Sequence, residues 1–339
     1  VRRITGRESA EAWSGLDPAR DYPHVIGNST TRHVEYLIDT YREAIDPAAF
    51  GSAFEESVRW TIDAGLDAGR VEEASTALKT LSTPRGTALD SFEDRVRAAI
   101  EIYYCRYHQI LSALARGEAD VPGLADAAAG GRVIEPMPAV AFFLALIKGW
   151  LGERAEAFAG VLSEQLEAEG VTVPNVDASK RRLAGLGRCF QDRPLRVGVV
   201  TSSIRYEADG VLNEVFAAIR DEIDGWPAAR EVRDRFEHPA DYYDAIVTAG
   251  DSSEIRLKPH RDLYSIALHR LGVSPGEFDK VVGFEDSESG TVSIRAAGIG
   301  RCIGVPFKET SQHDLSYAAR VLRGRLAEAV LCHNCFLKH

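Results

Sequence analysis

The hydrophobic pattern divides the chain into two parts of different texture. From about residue 18 to residue 166 apolar residues recur at three- and four-residue spacing, most clearly over 31–45 and 92–115. This spacing predicts amphipathic helices. From Pro194 onward, short β-branched runs alternate with helical segments instead. We therefore expect a mostly helical part followed by a part that contains a β-sheet.

The second part predicts parallel strands connected by helices. Its apolar runs predict strands at 195–201, 244–250, 280–284 and 301–306. The segments between them predict helices at 207–223, 261–272 and 289–297. Strand and helix alternating at this spacing is typical of an α/β fold with a doubly wound parallel sheet. We place this core at residues 191–339 and a large all-α domain at 1–190.

The net charge and the cysteine count bear on the partners and the cellular location of the protein. The chain has 40 Lys and Arg against 51 Asp and Glu, a net charge of -11, which argues against nucleic acid and an anionic membrane as partners. No window approaches the roughly 18 apolar residues of a membrane span. Five cysteines form no even disulfide framework, so a cytoplasmic location is expected. The oligomeric state stays open.

Polar residues of three chemical types follow the predicted strands. They are the hydroxyls of Thr201, Ser202 and Ser203, the ammonium of Lys258, and the carboxylates of Glu285 and Asp286. Ligands of open α/β sheets bind at the carboxyl ends of the strands. Hydroxyls and backbone N–H groups at a strand-to-helix turn suit an anion, lysine suits a phosphate, and paired carboxylates suit Mg²⁺. Each alone could be a helix cap, a loop or a solvated face, but their shared placement favours phosphoryl transfer.

Three segments resemble one known family. VGVVTSS, RLKPHRDLYSIALHRLGV and VVGFEDSESGTVSIRAAGI are similar to motifs of the haloacid dehalogenase (HAD) superfamily, in its β-phosphoglucomutase-like and phosphoglycolate phosphatase-like branch. The similarity covers roughly 195–306. It implies a HAD-like Rossmannoid core and a Mg²⁺-dependent phosphatase that acts on a small phosphorylated metabolite through an aspartyl-phosphate intermediate. A sugar phosphomutase of the same superfamily is the alternative reaction.

The resemblance assigns roles to these side chains. Thr201 would bind the transferred phosphoryl group, with Ser202 and Ser203 as neighbouring donors. Lys258 would neutralise charge on nucleophile and phosphate. Glu285 and Asp286 would bind Mg²⁺, with Asp286 the surer ligand.

The helical part then resembles a cap domain that closes over such a site. HVIGNSTTRHVEYL, residues 24–37, is similar to the opening segment of a cap. Arg32 and His33 are candidate substrate contacts there, the alternative being an exposed first turn of a helix. Residues 150–190 form an insertion to which we assign no role.

The family's first motif, an apolar strand ending in Asp-x-Asp-Gly, is not found between Val1 and His24. EADGVL at 207–212 begins with Glu, follows the second motif, and falls where a helix is expected. We therefore expect the nucleophilic Asp upstream of this chain. The alternative is a non-catalytic phosphate-binding homologue. In either case the strands at 195–201 and 280–284 should flank a gap in the sheet.

The C-terminal stretch holds a further candidate site. Cys332, His333, Cys335 and His339 could bind Zn²⁺, although the spacing is not that of a zinc finger. A redox role for the Cys-x-x-Cys pair and a frayed tail are the alternatives.

Overall fold

The chain folds into two separate units. The computed structural model describes residues 1–7, 13, 15–83, 86–118, 132–173, 175–226, 229–251, 254–333 and 335–336. The first unit is Val1–Pro122 and the second is Gly123–His339.

The described part of the first unit is helical apart from one short hairpin. Its helices are α1 (Tyr22–Val25), α2 (Thr30–Thr40), α3 (Pro47–Ala64), α4 (Ala68–Leu81) and α5 (Phe92–Ala115). Strands β1 (Ser82–Thr83) and β2 (Gly86–Thr87) pair antiparallel. Helix α5 has the predicted bounds, because Ser91 Oγ accepts the backbone N–H of Asp94 at 3.0 Å. The predicted helix 31–45 is shorter, since α2 ends at Thr40 and a 3₁₀ turn follows at Arg42–Ala44.

The first unit has its own core. Apolar faces of α2, α3, α4 and α5 meet around the buried side chains Val34, Ile38, Phe50, Phe54, Val58, Leu81 and Ile102. One ion pair lies inside: Arg70 Nη2 of α4 donates to Glu101 Oε2 of α5 at 2.7 Å, with both side chains buried. Arg70 also lies over the ring of Tyr104, 4.0 Å from its centroid.

The second unit contains the remaining elements. Its helices are α6 (Val140–Ile147), α7 (Ala159–Ala168), α8 (Val176–Asp192), α9 (Arg205–Ile223), α10 (Ala229–Arg233), α11 (Pro239–Tyr242), α12 (Asp262–Arg270), α13 (Glu288–Ala296) and α14 (Arg325–Leu331). Its strands are β3 (Gly198–Val200), β4 (Ala245–Val247), β5 (Val282–Glu285), β6 (Arg301–Gly304) and β7 (Arg320–Val321). Every strand and helix predicted in 195–306 is present, with ends shifted by a few residues.

The strands form two parallel sheets. Strand β3 pairs with β4, with Val199 opposite Ile246. Strand β5 pairs with β6 and β6 with β7. Among the described residues β3 and β5 belong to different sheets, which confirms the predicted gap between these strands. A single doubly wound sheet and a cap domain stay predictions.

The division between the units falls at residue 122, whereas the sequence placed the domain boundary near 190. Helix α6 packs within the second unit, where the ring of Phe143 meets that of Phe284 on β5 at a centroid distance of 5.3 Å. The backbone N–H of Leu195 donates to Ile147 O at 2.9 Å. Every residue of α6 from Ala141 to Ile147 is buried. The assignment of 1–190 to a cap domain stays a prediction.

None of the described helices is long and apolar enough to cross a bilayer.

Candidate functional site

Lys258 connects the ends of the two sheets. Its Nζ donates to Val200 O, the last residue of β3, at 3.2 Å, and forms an ion pair with Glu285 Oε1 at the end of β5. The ammonium also lies 5.3 Å from the centroid of the Tyr264 ring. Because the same ammonium group contacts both strands, the carboxyl ends of β3 and β5 lie within a few ångströms of each other.

The third predicted group follows directly on β3. The backbone N–H of Thr201 donates to Val247 O on β4 at 2.9 Å, which continues the pairing by one residue. Thr201 Oγ1 accepts the backbone N–H of Ser203 at 3.1 Å, and Ser202 is exposed. The hydroxyl turn is thus one residue from the carbonyl that Lys258 contacts, at the entrance to helix α9.

Three side chains outside β5 donate hydrogen bonds to Glu285. Its Oε1 accepts from Lys258 Nζ and from the hydroxyl of Tyr264 on α12. Its Oε2 lies 3.4 Å from the hydroxyl of Ser287, which also caps α13 by accepting the Gly290 N–H at 3.2 Å. The side chains of Lys258 and Glu285 are only 14% and 7% exposed. Burial, then the charge of Glu285, raises the pKa of Tyr264 well above its usual value, so this hydroxyl stays a donor.

Asp286 is a half-buried carboxylate that follows Glu285 directly in the chain. Burial, followed by the negative charge of Glu285, raises the pKa of Asp286 to about 6. Two close carboxylates that share one lysine retain a surplus negative charge, which a divalent cation would neutralise.

The two carboxylates are sufficient to hold Mg²⁺ only if water and substrate supply its other ligands. Within the described ranges no group of three or more His, Cys, Asp and Glu side chains is arranged to hold a metal. Mg²⁺ often takes only one or two protein carboxylates and completes its shell with water and substrate phosphate. Asp286 with Glu285 meets that requirement, so the two residues fit this ion but could not enclose it.

The two cap candidates differ in exposure. Arg32 is exposed in the first turn of α2, where its N–H is capped by Ser29. His33 is buried against the ring of Tyr103, and burial lowers its pKa to about 4. The alternative interpretation, a residue exposed in the first turn of a helix, therefore holds for Arg32 and not for His33.

The two rejected or secondary motifs have structural roles. Glu207, where EADGVL begins, lies in the first turn of α9 and accepts the N–H of Ile204 at 3.3 Å, as expected for a helix. In the C-terminal stretch His333 pairs with Glu328 at 2.7 Å, and burial raises the pKa values of both Cys332 and Cys335. His339 lies outside the described residues.

The alternative prediction of a frayed tail is wrong for residues 331–333 and 335–336, the described part of that stretch. The ring of Phe336 packs at 5.2 Å from that of Phe190 and 5.8 Å from that of Phe143. Raised thiol pKa values do not favour a redox pair, which needs an accessible thiolate.

Sequence reasoning missed Tyr264 and Gly290. No sequence pattern indicated that the Tyr264 hydroxyl contacts Glu285, because 21 residues separate the two positions. Gly290 did leave a signal, because a glycine in the first turns of a helix costs stability unless space demands it. A side chain at this position would overlap the carboxyl group of Glu285.

Hydroxyls, an ammonium and paired carboxylates at the carboxyl ends of parallel strands define an α/β protein with a site suited to a phosphate group. No family model matches the sequence. The chain is 44% identical over 64 residues to the "Phosphorylated carbohydrates phosphatase" of Thermotoga maritima, which is 19% of this chain and 27% of that protein. It is 32% identical over 124 residues to "Protein CbbY" of Rhodobacter capsulatus, which is 37% of this chain and 44% of that protein.

A solved structure, CbbY from Rhodobacter sphaeroides in complex with phosphate, aligns over 83% of this chain and 88% of its own, at 19% identity and a TM-score of 0.37. The sequence matches and the three motifs indicate that this part of the chain is related to hydrolases of the HAD superfamily. The chain spans less than half the length of the two relatives named above.

Proposed function

We propose that the protein is a Mg²⁺-dependent phosphatase that hydrolyses a small phosphorylated metabolite. The observation behind this proposal is the position of Lys258, whose ammonium bridges the end of β3 to the carboxylate at the end of β5. A fixed positive charge beside a hydroxyl turn and an acidic pair is what phosphoryl transfer requires, because catalysis there rests on positioning and charge stabilisation. The name of the Thermotoga relative supports a phosphorylated carbohydrate as the substrate class.

The described residues would act on the phosphoryl group. The hydroxyl of Thr201 and the backbone and side-chain donors of Ser202 and Ser203 would bind its oxygens. Lys258 would offset the negative charge that builds on those oxygens. Asp286, with Glu285 beside it, would hold Mg²⁺, which supplies further charge neutralisation when bound.

The nucleophile in this proposal is the first aspartate of an Asp-x-Asp-Gly motif. Its carboxylate oxygen attacks phosphorus while the second aspartate protonates the leaving alcohol oxygen, and water then hydrolyses the aspartyl phosphate, which releases phosphate and restores the carboxylate. We place it upstream of Val1, on a strand that ends in Asp-x-Asp-Gly. The separation of β3 from β5 supports this placement, because a further strand between them would pair with both edges. Reading the gene ahead of the codon for Val1 tests it directly.

The cap assignment belongs to the same proposal. Arg32 is exposed on α2 and is available to contact an anionic substrate. His33 is buried against the ring of Tyr103, so it would act there only through packing.

Binding and turnover test the proposal separately. Calorimetry with inorganic phosphate and Mg²⁺ should show binding to this chain. Lys258→Met should weaken phosphate binding about tenfold or more, and Asp286→Asn should weaken Mg²⁺ binding similarly. Lys280→Met, at an exposed lysine paired with Glu277, is the matched control and should bind like the wild type.

Turnover is then measured on the protein with the upstream segment included. Release of free phosphate from sugar phosphates supports a phosphatase, whereas isomerised sugar phosphate without net release supports a phosphomutase. Binding without either reaction, and no upstream Asp-x-Asp-Gly, would instead support a non-catalytic phosphate-binding protein. Absence of phosphate binding in the wild type would contradict the proposal.

A further inference from the structure

Gly290 and Tyr264 surround the Glu285 carboxylate in a way that no motif predicted. Gly290 is buried in the first turns of α13, and a methyl group on it would overlap the Glu285 carboxyl carbon and both of its oxygens. Its backbone is helical, so glycine is not needed there for its conformational freedom. The lack of a side chain at position 290 therefore leaves room for the Glu285 carboxylate.

Tyr264 approaches the same carboxylate from α12. Its hydroxyl donates to Oε1, the oxygen that pairs with Lys258, and its ring lies 5.3 Å from the Lys258 ammonium. One side chain thus contacts both members of the ion pair. Gly290 and Tyr264 together restrict the Glu285 carboxylate to the position in which it meets Lys258.

We propose that Gly290 and Tyr264 are positioning residues that act through Glu285 to hold the Lys258 ammonium between the two sheets. The proposal rests on the proposed function, since it supposes that the placement of Lys258 matters for binding a phosphate. Glu285 and Val200 O are the two acceptors of that ammonium, on separate sheets. If the carboxylate moves, the ammonium keeps only the carbonyl, and its position over the hydroxyl turn is no longer fixed.

Gly290→Ala is the most direct variant. The added methyl group displaces the Glu285 carboxylate, and the affinity for inorganic phosphate should fall about tenfold, within the usual range for coupled neighbours. Gly160→Ala is the matched control, because Gly160 also lies near the start of its helix and a side chain there meets nothing within 4 Å. The control should bind phosphate as the wild type does.

Tyr264→Phe is the second variant, in case Gly290→Ala does not fold. It keeps the ring over Lys258 and removes only the donor to Glu285, so we expect a loss of phosphate affinity of about threefold. Tyr317→Phe, at a side chain that is 52% exposed, is its control.

A double-mutant cycle separates positioning from general destabilisation. In a Glu285→Ala background there is no carboxylate to displace, so Gly290→Ala and Tyr264→Phe should change phosphate affinity less than about twofold further. A residue that served only the packing of α12 or α13 would still lower the affinity in that background. Additive losses would therefore overturn the proposal.

A readout that needs no phosphate completes the experiment. The rate at which acetic anhydride acylates Lys258, measured by mass spectrometry at fixed pH against exposed Lys280, should rise in Glu285→Ala and in both positioning variants. If this rate rises while the wild type binds no phosphate, the positioning of Lys258 stands and the proposed function fails. If Glu285→Ala changes the rate but neither positioning variant does, the proposed function stands and the positioning proposal is overturned.

Discussion

At the scale of single residues, burial decides which side chains can ionise freely. His33 has a pKa of about 4 because it is buried, against an ordinary value near 6.5 in the unfolded chain. The unfolded state then binds more protons than the folded state between these two values. Stability is therefore fully present above about pH 6.5 and is lost as the pH falls toward 4.

We expect the free energy of unfolding of the first unit to fall by about 2 kcal/mol across that window because of His33. Denaturant titrations at several pH values would measure this slope. His33→Gln should flatten it, because the side chain that titrates between these values is then absent. An equal slope in wild type and His33→Gln would contradict the assignment.

The buried Arg70–Glu101 pair is a second case. Glu101→Gln removes the buried carboxylate that pairs with Arg70 without changing volume. Because Glu73 still pairs with the guanidinium, we expect a loss of about 2 kcal/mol in unfolding free energy. The exposed Glu72 on the same helix as Arg70 offers the control Glu72→Gln, which should change stability by less than about 0.5 kcal/mol. Thermal and chemical unfolding of both variants would decide the matter, and equal losses would refute it.

At the scale of elements, two glycines of helix α8 differ in whether the structure leaves room for a side chain. A side chain at Gly187 would overlap the carbonyl oxygen of Gly152, so the backbones approach closely there. A side chain at Gly185, two residues earlier on the same helix, meets nothing within 4 Å. Only the packing partner distinguishes the two positions.

The two glycines therefore predict opposite outcomes. Gly187→Ala should cost at least about 2 kcal/mol, because a backbone carbonyl cannot move aside as a side chain can. Gly185→Ala should stabilise by about 0.5–1 kcal/mol through helix propensity. Unfolding free energies of the pair test this, and a neutral Gly187→Ala would show that the 152–158 segment yields.

Element boundaries were predictable where a local interaction sets them. Ser91 and Ser287 cap α5 and α13, and both helices begin within one residue of the predicted start. Helix α8 was not predicted, because it lies in the 150–190 insertion and its packing partner at 152–158 was unknown. Strand β7 has two residues and exists only through pairing with β6, so no sequence pattern could indicate it.

At the scale of the whole molecule, each unit has a hydrophobic core of its own. We expect residues 1–118, expressed alone, to fold with helical circular dichroism and cooperative thermal unfolding, because α2 to α5 bury their apolar faces against one another. A matched fragment ending at residue 91, which lacks α5, should not fold cooperatively. If the longer fragment is also unfolded, the core of the first unit is not sufficient.

The sequence by itself determined the order of strands and helices in 195–306 and the chemical types of residue at the strand ends. These follow from local periodicity and from residues close together along the chain. Only the tertiary structure decided that Lys258 spans two sheets, that His33 is buried, and that Tyr264 and Gly290 restrict Glu285. Such contacts join residues tens of positions apart, and they depend on packing that no local pattern encodes. The acidic pair was visible in the sequence, but the side chains that hold it were not.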